Sequence, residues 1–155
     1  TAAGAPDPIP IEKALGNHPV EAGQRYAVAA GANEVTDQKT KLVWRRCAEG
    51  MRATAAGCSG TPLAVDYTAA LAHVRKSQAG GWRLPTPDEL ASIADPARFK
   101  MAIDTAAFPD TPPAPFWTSK REGEDTAKAV NFYNGRFASR YHTNAHHLRL
   151  VRDPL

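Results

Sequence analysis

The chain has 155 residues and a mass of 16.6 kDa, a length that suits one domain with a buried core of its own. Hydrophobic residues make up 43% and charged residues 23%, which is close to the globular average and excludes a wholly disordered chain. The apolar runs are too short for a membrane-spanning helix within this sequence. Nineteen Lys and Arg against 16 Asp and Glu give a net charge of +3, which is too small by itself to indicate nucleic acid binding.

The N-terminal segment contains four prolines and little hydrophobic periodicity, which predicts an extended arm or linker over residues 1–24. A single domain over residues 25–155 would follow it. The sequence begins Thr-Ala-Ala-Gly without an initiator Met, and a processed export signal would explain that start. Regular patterning begins at Tyr26, and residues 34–44 are typical of two short strands around a turn at Asp37.

Cys47 and Cys58 are the two cysteines of the sequence. They could form a disulfide, contribute to a metal site or be two unrelated thiols. Structural zinc sites use four ligands with Cys spacings of about two to four residues, and neither Cys has a His nearby, so the pattern disfavours a metal. Closing a loop of about twelve residues would stabilise the fold by about 3 kcal/mol. We expect a Cys47–Cys58 disulfide and therefore an exported protein in an oxidising compartment, whether periplasmic, outer-membrane-associated or secreted.

Two helices are predicted in the middle of the chain. Residues 66–78 place apolar side chains at helical spacing and precede Gly80-Gly81, which is typical of a helix end. Thr86, Pro87 and Glu89 have the order of an N-cap, a first-turn proline and the third-position acid of a capping box. The second helix is predicted to end at Asp95-Pro96.

The last third predicts four short strands, over residues 116–119, 127–133, 136–141 and 147–151, with Asn134-Gly135 as a hairpin turn. The order of strands, two helices and further strands predicts an α+β fold with an antiparallel sheet. The sequence contains no GxSxG, HExxH or P-loop motif. The acidic residues near the second helix are explained by its ends. We therefore expect neither an enzyme nor a cofactor.

Several motifs together resemble a known bacterial family. They are VTDQKTKLVW at residues 35–44, the two cysteines, YTAAL at 67–71, GWRLPTPDEL at 81–90, FWTS at 116–119, NFYNG at 131–135 and LVR at 150–152. In this order and spacing they resemble the Lcl C-terminal domain family over roughly residues 26–152. The resemblance implies a C-type-lectin-like fold, an exported or surface location and, from the adhesin that names the family, binding of sulfated glycosaminoglycans. It carries over no catalytic residue.

Two departures from related proteins stand out. A further cysteine pair, which many members have in the first helix and the last strand, is absent here. The Glu-Pro-Asn, Gln-Pro-Asp and Trp-Asn-Asp motifs of calcium-dependent lectins are also absent. We therefore do not expect calcium-dependent sugar binding.

The strongest charge pattern lies between Thr126 and Arg152, where there is no Asp or Glu but there are five Lys or Arg and three His. Alternate residues of a strand share a face, so Arg136, Arg140 and His142 could project together and attract sulfate, carboxylate or phosphate. The candidate anion-binding residues are Arg136, Arg140, His142, His146, His147 and Arg149. Arg149 and Arg152 have opposite parity, so only one of them could join that face.

Plainer interpretations exist for each of these features. An ordinary solvated face would explain the same charge pattern. His142, His146 and His147 could bind a metal, but no nearby Asp, Glu or Cys completes a set, so we expect no metal site. Trp44 and Trp117, like the Trp82–Thr86 segment, are more typical of a core than of a recognition loop.

Two functions remain. The first is a binding module for an anionic polysaccharide such as a glycosaminoglycan, with affinity that falls steeply with salt. Protonation of the histidines in mild acid would strengthen that binding. The second is a structural or interaction domain whose partner is a surface protein. We expect no nucleic acid partner for either.

Overall fold

The computed structural model describes residues 24–29 and 32–154, so the predicted arm over residues 1–24 lies, apart from Gln24, outside the described residues. The strands are β1 Tyr26–Val28, β2 Glu34–Asp37, β3 Val43–Arg45, β4 Arg52–Thr54, β5 Gly57–Ser59, β6 Pro115–Arg121, β7 Thr126–Asn131, β8 Arg136–Tyr141 and β9 Val151–Arg152. The helices are α1 Tyr67–Arg75 and α2 Pro87–Ser92, with a short 3-10 turn at Gln78–Gly80.

The strands form three antiparallel sheets, with orders β1-β2-β3-β9, β4-β5 and β6-β7-β8. The predicted turn between β2 and β3 is confirmed. Its Asp37 carboxylate accepts hydrogen bonds from the Lys39 amide at 2.9 Å and from the Thr40 hydroxyl at 3.1 Å, which fixes the chain reversal. A mostly β fold with two helices and antiparallel sheets therefore agrees with the predicted α+β class.

Both predicted helices are present, and both are shorter than predicted. Asp66 caps α1 by accepting from the Ala69 amide at 2.8 Å, and α1 ends at Arg75 before the 3-10 turn. The capping box of α2 is confirmed, since Thr86 accepts from the Glu89 amide and Glu89 accepts from the Thr86 amide. In the described chain no helix is long and apolar enough to cross a membrane.

The predicted hairpin at Asn134-Gly135 joins β7 to β8. Gly135 has φ +76°, and a Cβ there would lie 3.0 Å from the Pro96 backbone, so the turn requires glycine. The prediction of a strand over residues 147–151 was wrong. His147 bridges to Phe116 in one sheet and Val151 pairs with Trp44 in the other, so this run crosses between two sheets instead of extending along one.

Two apolar clusters fill the interior. Trp44 lies in the cluster that includes Leu90 and Ile93 of α2, whereas Trp117 lies in the cluster that includes Tyr67 and Ala70 of α1. Both tryptophans are fully buried, which confirms that they are core residues. The β6-β7-β8 sheet lies between the clusters, with Phe116 and Val130 facing one and Trp117 and Ala127 the other.

The remaining structural predictions concern the disulfide and the segment before α2. Cys47 and Cys58 form a disulfide, as predicted. Trp82 is buried in the core, and Arg83 donates two hydrogen bonds to the Glu89 carboxylate, at 2.8 and 2.9 Å, and one to Asp153. The Trp82–Thr86 segment is therefore structural, because its tryptophan packs inside and its arginine pairs with carboxylates.

Candidate functional site

The six predicted anion-binding residues do not form one site. One is buried, two lie outside a cluster, and three belong to it. Arg149 is the buried one, with no exposed surface. Its Nη1 donates to the carbonyls of Arg45, at 3.0 Å, and Arg46, and its Nη2 donates to the Thr111 hydroxyl at 2.8 Å. Burial lowers the pKa of Arg149 to about 9, so the guanidinium still carries its charge at neutral pH. This corrects the prediction that Arg149 belongs to an exposed face: backbone carbonyls hold it inside the protein.

His147 and Arg136 have different surroundings from the other three: His147 is next to His146 but packs against other groups, and Arg136 lies farther along β8. His147 is half-buried, and its Nδ1 lies 3.0 Å from the Leu63 carbonyl while its ring packs against Phe116. Arg136 is exposed at the start of β8, four residues from Arg140. At about 3.4 Å per residue, their backbones are about 14 Å apart along the strand, although they share its face.

His142 and His146 pack on two adjacent aromatic rings of the core, those of Tyr67 and Trp117, and Arg140 lies near His146. The His142 ring stacks on Tyr67 with centroids 5.0 Å apart and planes at 18°. The His146 ring meets Trp117 edge-on at 5.0 Å. Arg140 lies opposite Ala127 on the same side of the sheet as Trp117, close enough for its charge to lower the pKa of His146.

Arg121, at the end of β6, joins this group with its guanidinium carbon 5.6 Å from the centre of the Tyr67 ring. We call Arg121, Arg140, His142 and His146 the Arg/His cluster. Sequence reasoning missed Arg121 because it precedes the acid-free stretch. The β6–β7 hairpin, which pairs Arg121 with Ala127, brings it to the cluster. The available signal was the Lys120-Arg121 pair directly after the strand predicted over residues 116–119.

Backbone hydrogen bonds hold the histidine loop against the start of α1. The His142 carbonyl accepts from the Tyr67 amide at 2.9 Å, and His146 and Val65 exchange two backbone bonds of 3.0 Å each. The Trp117 indole donates to the Val65 carbonyl at 2.9 Å. These bonds fix the Trp117 ring and the backbone that carries His142 and His146, so the histidine part of the cluster is preorganised.

The cluster concentrates buried polar atoms that have no partner. Seven such side-chain atoms occur in the described chain, and three of them are Arg140 Nε, His142 Nε2 and His146 Nε2. A buried polar atom left without a hydrogen bond costs about 1–3 kcal/mol, so these nitrogens are suited to a ligand or solvent that can pair with them.

The electrostatics of the cluster also favour an anion. Among the described residues, neither Arg121 nor Arg140 forms an ion pair. Burial, with the charges of Arg140 and His147, lowers the pKa of His146 below its usual 6.5, so this ring is neutral at neutral pH. An anion bound beside it would favour the protonated form and raise that pKa.

The three histidines have separate environments. His142 contacts Tyr67, His146 contacts Trp117 and His147 contacts Leu63 and Phe116. No group of three His, Cys, Asp or Glu side chains that could hold a metal ion occurs within residues 24–29 and 32–154. The arrangement offers hydrogen-bond donors and positive charge.

Comparison with known proteins identifies the family. A family model described as the Lcl C-terminal domain matches residues 33–152. None of the curated proteins matches this chain. The matched range includes the disulfide, both helices, every strand from β2 to β9 and the whole Arg/His cluster. This protein therefore belongs to the Lcl C-terminal domain family, as its motifs predicted.

Proposed function

We propose that this protein is an exported bacterial binding module, without catalytic activity, that recognises anionic sulfated glycans through the Arg/His cluster. The observation that carries the proposal is a group of three buried nitrogens, on Arg140, His142 and His146, that have no hydrogen-bond partner in the described chain. A sulfate group supplies acceptor oxygens and a permanent negative charge, which are what these nitrogens and the unpaired Arg121 lack.

The role of each residue follows from its chemistry. Arg121 and Arg140 would supply guanidinium donors to sulfate oxygens, whose charge does not change with pH in the physiological range. His142 and His146 would act as further donors once protonated. The aromatic rings of Tyr67 and Trp117 support these side chains from beneath and keep their geometry.

The fold and location belong to the same proposal. A C-type-lectin-like fold agrees with the two helices, the antiparallel sheets and the family membership. The Cys47–Cys58 disulfide supports export, because disulfides persist in oxidising compartments such as the periplasm and the cell surface.

The test is chromatography of the purified, oxidised protein on immobilised heparin, with stepwise salt elution at pH 5.5 and pH 7.5. The test variant is the pair Arg121→Gln and Arg140→Gln. Its matched control is the pair Lys39→Gln and Lys41→Gln, which removes the same two charges from the exposed β2–β3 turn.

We expect the wild-type protein to elute above physiological salt, and later at pH 5.5 than at pH 7.5. The cluster variant should elute at much lower salt, whereas the control variant should resemble the wild type. Equal shifts in both variants would mean that only net charge matters, and flow-through of the wild type at low salt would overturn the proposal.

An alternative function is a structural or protein-interaction domain of a surface assembly. The observation that favours it is a set of large exposed aromatic side chains. Phe99 and Tyr133 touch at 5.1 Å between ring centres, and Phe137 and Tyr141, 50% and 61% exposed, share one face of β8. This alternative predicts that Phe137→Ser with Tyr141→Ser releases the protein from its assembly, whereas the cluster variant stays bound.

A further inference from the structure

A second candidate site lies away from the Arg/His cluster. A cleft of about 740 Å³ opens between β1, the C-terminal end of α2 and the loop over residues 104–107. The apolar part of its lining, which we call the apolar floor, includes Val28, Ile93 and Ala107. Its polar lining includes Arg25, Tyr26, Arg46, Asp95, Arg98 and Asp104. The volume lies within the range of small-molecule sites, and the cleft shares no residue with the Arg/His cluster.

The charges of the cleft balance. Arg25 donates two hydrogen bonds to Asp37, at 2.8 and 2.7 Å, and one to the Ser92 carbonyl, so its charge is already paired. Arg46 and Arg98 form no ion pair with another described residue. These two cations face two carboxylates, those of Asp95 and Asp104.

In each carboxylate, one oxygen accepts backbone hydrogen bonds that orient the group, and the other oxygen can accept a hydrogen bond from a ligand. Asp95 Oδ1 accepts from the Ala97 amide at 3.1 Å. Asp104 Oδ1 accepts from the amides of Ala106 and Ala107, at 2.9 and 3.2 Å. The Oδ2 atoms of both residues accept no hydrogen bond from the described chain, so each can accept one from a ligand.

Two more groups of the cleft suit a ligand with hydroxyl groups. Burial and the nearby carboxylates of Asp37, Asp104 and Asp95 outweigh the effect of Arg25 and raise the pKa of Tyr26 to about 12, so its phenol is neutral and can both donate and accept. Arg46 Nε is buried and has no partner in the described structure, although its Nη1 donates to the Thr54 carbonyl at 3.4 Å. A hydroxyl oxygen of a ligand could accept a hydrogen bond from Arg46 Nε.

We propose that this cleft binds a neutral, polyhydroxylated ligand, namely a short saccharide. A ligand of one charge sign would meet two like charges among Arg46, Arg98, Asp95 and Asp104. A hydroxyl group accepts from the guanidinium groups and donates to the carboxylates, so it satisfies both kinds of partner. The C–H face of a sugar ring would cover the apolar floor. The proposal is independent of the function proposed for the Arg/His cluster.

The experiment is amide chemical-shift mapping by NMR on the full chain. The probes are neutral trisaccharides built from glucose, mannose, galactose or N-acetylglucosamine, with glycylglycine as a zwitterionic probe. The blocking variant is Ala106→Trp, which places a bulky ring at the cleft from an exposed turn position. Ala72→Trp, at an exposed position of α1, is the matched control.

We expect at least one trisaccharide to give saturable shifts at Tyr26, residues 93–95 and residues 104–107, unchanged between low and high salt. Ala106→Trp should weaken that binding at least tenfold, whereas Ala72→Trp should leave it unchanged. Asp104→Asn keeps the turn acceptor but replaces the available oxygen with a donor, and it should weaken binding several-fold.

Two outcomes would overturn the cleft proposal. One is that no trisaccharide shifts these amides, and the other is that only glycylglycine does, which would make the site zwitterionic. Failure of heparin binding alongside saturable trisaccharide shifts would refute the function proposed for the cluster and leave the cleft proposal standing.

Discussion

Arg140 and Arg149 belong to one acid-free stretch of sequence, yet their guanidinium groups differ in burial and in hydrogen bonding. Arg149 is fully buried and donates to three oxygens, those of Arg45, Arg46 and Thr111. Arg140 is half-buried, and its guanidinium forms neither an ion pair nor a hydrogen bond with a described residue.

The difference comes from the backbone around each arginine. Residues 147–151 pass the end of β3, where the chain leaves the sheet and its carbonyls are free to accept hydrogen bonds from Arg149. Arg140 lies on β8, the last strand of its sheet, opposite the small Ala127. A guanidinium whose Nη groups already donate to buried oxygens stabilises structure, whereas one that makes no hydrogen bond to the described chain is available for a ligand.

The largest expected effect is on the Arg149 region. Replacing Arg149 by Met should lower the free energy of unfolding by about 3–5 kcal/mol, because the buried oxygens that it satisfies lose their donor. Arg140→Met is the matched control and should change it by less than about 1 kcal/mol. Urea unfolding followed by circular dichroism measures both. Similar values for the two variants would remove the contrast between the regions.

The disulfide gives the next largest effect. Cys47 directly follows the two residues whose carbonyls hold Arg149, and reduction of the Cys47–Cys58 bond should cost about 3 kcal/mol of unfolding free energy. Urea unfolding with and without a reducing agent measures this. Heparin retention of the reduced but folded protein should be unchanged, because the Arg/His cluster lies elsewhere. Lost retention in protein that remains folded would show that the two regions are coupled.

A paired arginine near the surface provides an intermediate case. Glu89→Gln keeps the capping box and removes the charge that pairs with Arg83, so it should cost about 0.5–1 kcal/mol, since both side chains are partly exposed. Glu124→Gln, at an exposed position, is the control for unfolding measurements at neutral pH.

The same pair has a definite pH dependence. The hydrogen bonds from Arg83 to the Glu89 carboxylate are the largest cause that lowers the pKa of Glu89 from 4.5. The contribution of the Arg83–Glu89 pair to the free energy of unfolding is therefore complete above pH 4.5. It is lost as the pH falls through the folded-state pKa of Glu89. Wild type and Glu89→Gln should converge in acid. A difference that persists there would contradict this origin.

The smallest expected effect is the pH dependence of stability that His146 causes, and it tests the electrostatics of the Arg/His cluster. Its folded-state pKa lies below the usual 6.5, so the unfolded chain takes up the proton first and stability falls as the pH drops below 6.5. Arg140 and His147 are the charged or titratable groups that contribute to this shift. His146→Gln should remove this part of the acid destabilisation, as measured by thermal unfolding at several pH values.

Heparin provides the internal control for the His146 prediction. A bound polyanion favours protonated His146, so the wild type should gain more stability from heparin at pH 5.5 than His146→Gln does. The gain should also be greater than at pH 7.5. Equal gains in both proteins at both pH values would show that His146 does not contact the ligand.

Local sequence signals predicted the elements that depend on neighbouring residues. The Thr86–Glu89 capping box, the Asp37 turn and the Gly135 hairpin were predicted because each is formed within a few residues by fixed hydrogen-bond or φ requirements. The disulfide was predictable from two cysteines at a loop-closing spacing. Helix ends were less predictable, because α2 stops at Ser92, three residues before Asp95.

The candidate sites were only partly predictable. Charge pattern alone indicated Arg140, His142 and His146, but strand parity could not exclude Arg149 from the surface. No single stretch of sequence indicated the cleft, because its lining residues come from β1, the segment after β3, α2 and a distant loop.

The family, both helices and the disulfide could be read from the sequence alone, since these depend on motifs and spacings along the chain. Which cations are structural and which are available became clear only from the three-dimensional fold. The distinction depends on whether carbonyl or carboxylate oxygens from remote segments surround the guanidinium. The Nη groups of Arg149 donate to oxygens of residues more than a hundred positions earlier and of Thr111, whereas the guanidinium of Arg140 finds no acceptor in the described chain.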